Sequence, residues 1–277
     1  MLNLLLTAGL LLAPHQEAQE GPETPDPAVV AAAVAELEQA FEDGKAPERV
    51  AAIEKHAEIN DAEVVRWIEK GFKDKDPAVK SASIEAFRWL PNAKALKALH
   101  TALQKDKTIK KDEALYGELV KAIGQHGDVA SIDILLDGAT ASTPKSVTIA
   151  RIYSLGHIRD KRSVEELIDL LKKTGGGRGK KGVGRANHPL IKQFHTSLHV
   201  LTGENFGPDE NAWTKWWKDH GKKFEVAEKA TGLDPKIERA WKKYWSKPEA
   251  AKADGGQKKK RRRGGDDPTD GEDVEGA

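Results

Sequence analysis

The sequence predicts an all-α superhelix: a solenoid of about five helix pairs with a tryptophan-rich C-terminal cap and a disordered, charged tail. Three observations carry this. Apolar residues recur at spacings of three and four, in Val164, Leu167, Ile168 and Leu171 and again in Ile191, Phe194, Leu198 and Leu201. That is the buried stripe of an amphipathic helix. No segment of comparable length alternates with period two, so no sheet is expected. First helices begin near Ala28, Asp61, Asn92, Asp128 and Asp160, at separations of 33, 31, 36 and 32 residues. A repeat in the low thirties made of helix–turn–helix units is an α-solenoid, whose pairs must stack to bury their stripes.

The composition excludes several chemistries. Among 277 residues there is no cysteine, hence no disulfide, thiolate metal site or cysteine nucleophile. Lys+Arg number 45 against 44 Asp+Glu, a net charge of +1, so any nucleic-acid binding must be local. Charged residues at 32% and aromatics at 6% fit helices with wide solvated faces.

In chain order, Met1–Ala13 holds seven leucines and no charge. Such a run is too short to span a bilayer but suits a signal-peptide core. A signal peptide over 1–18, with cleavage at Ala18, and export to the periplasm or outside the cell are expected. A polar linker, 19–27, precedes the solenoid, 28–224. Second helices are expected near Ala46, Asp76, Thr108, Ser142 and Asn187. Pro47, Pro77, Pro144, Pro189, Pro208 and Pro235 follow cap or loop residues, where the missing N–H costs nothing. Asp76, Thr143 and Asp234 are cap types. Gly44, Gly127, Gly138 and Gly203 are placed for left-handed C-terminal caps. Trp213, Trp216 and Trp217 share one helical face, either a buried terminal cap or a ligand-stacking platform. Residues 225–251, with Ile237, Trp241 and Trp245, form a further amphipathic helix expected to dock on that cap. The tail, 252–277, runs from six basic residues, Lys258–Arg263, into six acidic ones, a composition that cannot offset its ordering entropy.

Lys75-Asp76-Pro77-Ala78-Val79-Lys80, followed by Ala82 and Ala86, resembles the opening of a second helix in HEAT repeats. Leu155-Gly156-His157-Ile158-Arg159-Asp160, followed by Val164 and Leu167–Leu171, is similar to that family's turn between repeats, and Ile123–Asp128 is a second copy. Leu201–Gly207 with Trp213, Trp216 and Trp217 resembles the close of exported bacterial HEAT-repeat proteins of the PBS-lyase-like kind. The resemblance covers roughly Pro27–Phe224 and implies architecture more than activity. It implies that second helices line a concave face, where Lys80, Arg88, Lys110, Lys111, Arg151 and Lys192 would be exposed to a partner.

The insertion 172–187 adds Lys172, Lys173, Arg178, Lys180, Lys181 and Arg185 among six glycines and no acid, either a solvated loop or an anion-binding one. Gly177, Gly179 and Gly182 fit G-x-G-x-x-G without the preceding strand that motif needs. His195 and His199 stand at i and i+4, but the Glu of H-E-x-x-H is missing and no third ligand is evident. Ser142–Lys145 matches S-x-x-K at a helix start, where capping accounts for it. No catalytic residue, metal or cofactor is expected. The leading expectation is a non-catalytic scaffold binding a protein partner outside the cytoplasm, with no stable membrane span after cleavage. The alternative is polyanion or nucleic-acid binding by the same cations, the insertion and the basic tail, similar to HEAT-like DNA glycosylases in architecture only. A lyase acting on a bilin is a third class, for which no acid–base pair is evident.

Overall fold

The computed structural model describes residues 25–139, 143–174 and 189–247. The expected signal peptide, most of the linker, the core of the insertion and the tail lie outside them. Among the described residues all regular structure is helical, in thirteen α-helices and two short 3-10 turns. They form five pairs: α1 (Pro27–Asp43) with α2 (Ala46–His56), α3 (Ala62–Glu69) with α4 (Pro77–Trp89), and α5 (Ala93–Lys105) with α7 (Glu113–Gln125). The last two are α8 (Ile132–Leu136) with α9 (Lys145–His157), and α10 (Lys161–Thr174) with α11 (Ile191–Thr202). One turn, α6 (Lys107–Lys111), precedes α7; α12 (Glu210–His220) and α13 (Pro235–Trp245) follow the last pair.

The boundaries follow from caps. Asp61, Asp76, Asn92, Asp112 and Asp234 each accept a bond from a backbone N–H in the first turn of their helix, groups that have no partner within the helix. Three expectations are corrected. The second helix expected near Thr108 begins at Glu113, because Asp106 and Asp112 are both caps and the first starts only one turn. Thr143 does not cap α9; its hydroxyl donates to the Gly138 carbonyl. Gly44 is extended at φ −76°, whereas Gly127, Gly138 and Gly203 take the positive φ expected.

Second helices pack in sequence, α2 on α4, α4 on α7, α7 on α9 and α9 on α11, while α1, α3, α5 and α8 form the other layer. One continuous core from Ala33 to Trp213 lies between them. Each buried Leu, Ile or Val in it contributes roughly 1.5–3 kcal/mol. Helix separation in the second layer is set by glycine facing serine. A Cβ on Gly124 would stand 2.3 Å from Ser154 Oγ and 2.8 Å from its Cα; one on Gly156 would stand 2.5 Å from Ser197 Cβ. Ser154 donates to the Val120 carbonyl at 3.1 Å and Ser197 to the Ile152 carbonyl at 3.0 Å, so each serine satisfies its hydroxyl at the contact.

Gly124→Ala or Gly156→Ala should therefore lower the melting temperature despite alanine's better helix propensity, because forcing the helices apart costs about 1–3 kcal/mol. Gly117, in α7 with nothing within 4 Å of its Cβ position, is the control. Gly117→Ala should raise stability by about 0.5–1 kcal/mol. Thermal unfolding followed by circular dichroism distinguishes the signs.

Candidate interaction surface

Three of the six cations expected to be exposed on the second-helix layer are buried: Lys80 is 7% exposed, Arg88 6% and Arg151 2%. The reason lies in the ends of the first helices. Arg151 donates to the carbonyls of Leu135 at 2.6 Å and Ile134 at 3.2 Å, at the end of α8, and to the Tyr116 hydroxyl at 2.8 Å. Lys80 donates to the Phe72 carbonyl at 2.7 Å, just beyond α3, and to Thr108 Oγ1 at 3.0 Å, with Asp106 at 3.8 Å. Arg49 on α2, which sequence reasoning passed over, donates to the Gly44 carbonyl at 2.6 Å and pairs with Asp74 at 2.7 Å. In each case a cation on a second helix meets the unpaired carbonyls at the end of its own first helix, where the macrodipole is negative. A partner or turn residue in the adjoining pair then ties repeat to repeat. Arg88 instead lies over Trp89, 4.4 Å from the ring, and bridges to Gln125 on α7 at 3.3 Å.

Of the other expected cations, Lys111 and Lys192 are exposed and Lys110 is half-buried. Lys110 reaches the Gln104 carbonyl at 3.4 Å. Arg178, Lys180, Lys181 and Arg185 lie outside the described residues.

The second-helix layer carries a helix on its own surface. The amphipathic segment expected to dock on the tryptophan cap is α13, and it lies against α9 and α11 instead. Asp234 caps it, bonding the N–H groups of Lys236 at 2.8 Å and Ile237 at 3.3 Å. Its apolar face meets an aromatic stripe. Trp241 and Tyr244 stand edge-on to Tyr153 at 5.5 Å and 4.9 Å, and Trp245 stacks on His157 at 4.1 Å. Lys121 of α7 sits 4.4 Å over the Tyr244 ring. Val200, Trp241 and Trp245 make a buried cluster separate from the main core. Arg159 secures the approach to α13, donating to the carbonyls of Ala227 at 2.6 Å and Val200 at 3.2 Å. The readable signal was the pair Tyr153 and His157, four apart on the solvent side of α9.

Burial under α13 sets the local chemistry. It holds the His157 imidazole at about 4, with the Arg159 and Arg88 guanidiniums pushing the same way. It raises the Tyr244 phenol to about 12, Tyr153 adding to the rise. Both groups are therefore uncharged at neutral pH.

The N-terminal half of the same layer is open. Between the ends of α2 and α4 lies a groove of about 870 Å³ lined by Glu54, Lys55, Glu58, Glu85, Trp89 and Lys247, among others. Trp89 Nε1 donates to Glu85 at 2.6 Å, fixing the indole along one wall. Lys247, two residues past α13, reaches in to Glu58 at 2.8 Å and holds that carboxyl below its usual range.

The remaining candidates have structural partners. His199 is buried and bonds the Glu204 carbonyl through Nδ1 at 2.7 Å, while His195 bonds Asn205 at 2.9 Å. Among the described residues no group of three His, Asp or Glu is arranged to hold a metal. Trp213 is fully buried, with Nε1 donating to the Gly207 carbonyl at 3.1 Å and Phe206 edge-on at 4.9 Å. Trp216 and Trp217 are half-buried and pack with Phe224. Trp213 thus seals the end of the core. Among the described residues no helix is long and apolar enough to cross a membrane.

Two predictions follow from this geometry. Arg151→Met strands two carbonyls and a hydroxyl in the interior and should cost about 2–4 kcal/mol in denaturant unfolding, whereas Lys192→Glu should stay within about 0.5 kcal/mol. The second concerns acid. His157 is depressed when α13 is docked and returns towards its ordinary 6.5 when it is released. Docking is therefore fully favoured above that value and weakens as pH falls from 6.5 towards 4. The Trp245 indole resonance should shift through this window, and His157→Phe, which keeps the stack without the proton, should abolish the shift.

Comparison with known proteins bears on the first half of the solenoid. No curated protein matches the chain. Residues 34–114 match the sequence model of HEAT repeats. That stretch, from within α1 to the start of α7, is similar to HEAT repeats, and the helix pairs that follow continue the same all-α solenoid architecture.

Proposed function

We propose that this chain is a non-catalytic scaffold that binds another protein on its second-helix layer, outside the cytoplasm. The observation that carries the reading is α13. The chain's own aromatic helix lies on that layer through Tyr153, His157 and Val200, so the surface is one that accepts a helix. Repeat solenoids of this kind offer extended surfaces built from many short elements. The open groove at Glu54, Glu58, Glu85 and Trp89 is the part left for a partner. Its excess of carboxylates, Glu54, Glu58 and Glu85 against Lys55 and Lys247, and the burial of Lys80, Arg88 and Arg151, favour a protein with basic side chains over a polyanion. The most perturbed titratable groups, His157 and Tyr244, lie sealed under α13 rather than in an accessible cleft, which supports a binding role over a chemical one. Export rests on the leucine run of Met1–Ala13, and the exported, PBS-lyase-like subtype on the resemblance of Leu201–Gly207 with Trp213, Trp216 and Trp217.

Glu54→Lys with Glu58→Lys alters exposed carboxylates without touching the core. The double variant should bind a partner recovered with the native chain at least about tenfold more weakly, equivalent to about 1.4 kcal/mol. Undiminished binding would place the interface elsewhere. Affinity for DNA or RNA should be negligible at physiological salt; a steep loss between low and physiological salt, the mark of phosphate contacts, would favour the polyanion reading. The mass of the protein from its native cells should correspond to a chain starting near Gln19; retention of Met1 would remove export from the reading.

A further inference from the structure

The groove between α2 and α4 has a candidate occupant within the chain. Its surroundings are acidic: residues 27–58 hold seven carboxylates, Glu36, Glu38, Glu42, Asp43, Glu48, Glu54 and Glu58, against Lys45, Arg49 and Lys55. Two of those three cations are already engaged, Arg49 by Asp74 at 2.7 Å and Lys55 by Glu36 at 2.6 Å. In the groove itself Glu54 and Glu58 are exposed, and Trp89 is half-buried. Cations already sit at this site in two ways. The Arg88 guanidinium lies 4.4 Å from the Trp89 ring, and Lys247 pairs with Glu58 at 2.8 Å. Lys247 also fixes where the chain leaves α13, at the mouth of the groove.

Eleven residues beyond Lys247 the sequence reads Lys258-Lys259-Lys260-Arg261-Arg262-Arg263. A chain of that length reaches about 18 Å on average as a coil and roughly 36 Å extended. Both distances exceed what is needed to return to Glu54 and Trp89 from an anchor already at Glu58. Tethering at this range corresponds to an effective concentration of order millimolar, so even weak ion pairs and one arginine–indole stack would populate the contact. We propose that Lys258–Arg263 docks in the groove formed by Glu54, Glu58, Glu85 and Trp89, continuing in cis the line begun by α13 and Lys247. The second-helix layer is then occupied by the chain itself along both halves, and a basic partner binds by displacing this segment. This goes beyond the scaffold reading, since the cis contact exists whether or not a partner is found.

The natural chain has no cysteine, so Gln257→Cys gives one attachment point for a nitroxide beside the basic run. In the full-length ¹⁵N-labelled protein at low salt, the label should cause loss of the Trp89 indole and Ala86 amide cross-peaks. They should return on reduction of the nitroxide and in 0.5 M salt, where the Debye length falls from about 30 Å at 10 mM to about 4 Å. Replacing Lys258, Lys259, Lys260, Arg261, Arg262 and Arg263 together by serine should also restore them with the label in place. Peaks unaffected by the label would overturn the proposal. Loss of equal size in a mixture in which label and ¹⁵N reside on different molecules would overturn it in favour of a contact between copies. Because no partner is added, failure here leaves the scaffold reading to be judged by the Glu54 and Glu58 variants.

Discussion

The spacing of successive second helices is the constraint around which the molecule is arranged. No pair can bury its stripe alone, so α4, α7, α9 and α11 must stack, and where Gly124 meets Ser154 and Gly156 meets Ser197 they approach to backbone distance. Helices that close leave no room for long side chains between them. The cations on these helices are forced towards the turns, where the carbonyl ends of the first helices receive them. The contacts of Arg49, Lys80 and Arg151 are thus a consequence of helix spacing, and they return the favour by locking each turn to the adjoining pair. A buried charge is costly unless its donors are satisfied; here backbone carbonyls, an aspartate or a phenol take most of the donors, while the Arg151 Nε is buried without an acceptor.

That arrangement explains what is left on the surface. With the basic side chains drawn inward, the layer presents aromatics in its C-terminal half, Tyr153 and His157, and carboxylates in its N-terminal half, Glu54 and Glu58. The aromatic half is covered by α13 through a cluster separate from the main core. The cover is not fully satisfied: the Trp245 indole nitrogen is buried without an acceptor, a penalty of about 1–3 kcal/mol. A helix held by rings and lacking one hydrogen bond is a weaker attachment than the helices of the core, which suits a surface whose use is to bind.

Much of the fold was legible in the sequence because caps are local. Asp61, Asp76 and Asn92 mark helix starts to within one residue, and the low-thirties period reads directly from them. Errors arose where local signals competed, as with Asp106 and Asp112, two good caps six residues apart. The candidate site was less legible. Lys80, Arg88 and Arg151 follow Val79, Phe87 and Ala150 at the edge of the apolar stripe, and helical phase alone does not say whether an edge residue turns inward. That depends on carbonyls 16 or 17 residues away for Arg151, which no spacing rule contains. The docking of α13 is less local still, joining Trp245 to His157 across the last pair and the cap. Only the shared aromatic character of the two faces pointed to it.

The division of the second-helix layer into a covered and an open half depends on α13 lying against it. A nuclear Overhauser spectrum of the full chain at neutral pH tests this without any partner or variant. Cross-peaks between the Trp245 indole and the His157 imidazole, and between the Tyr244 and Tyr153 rings, are the predicted result. Their absence, with α13 resonances at shifts of an isolated peptide, would mean that the layer is bare and that its aromatic half, not the groove at Glu54 and Trp89, is the first surface open to a partner.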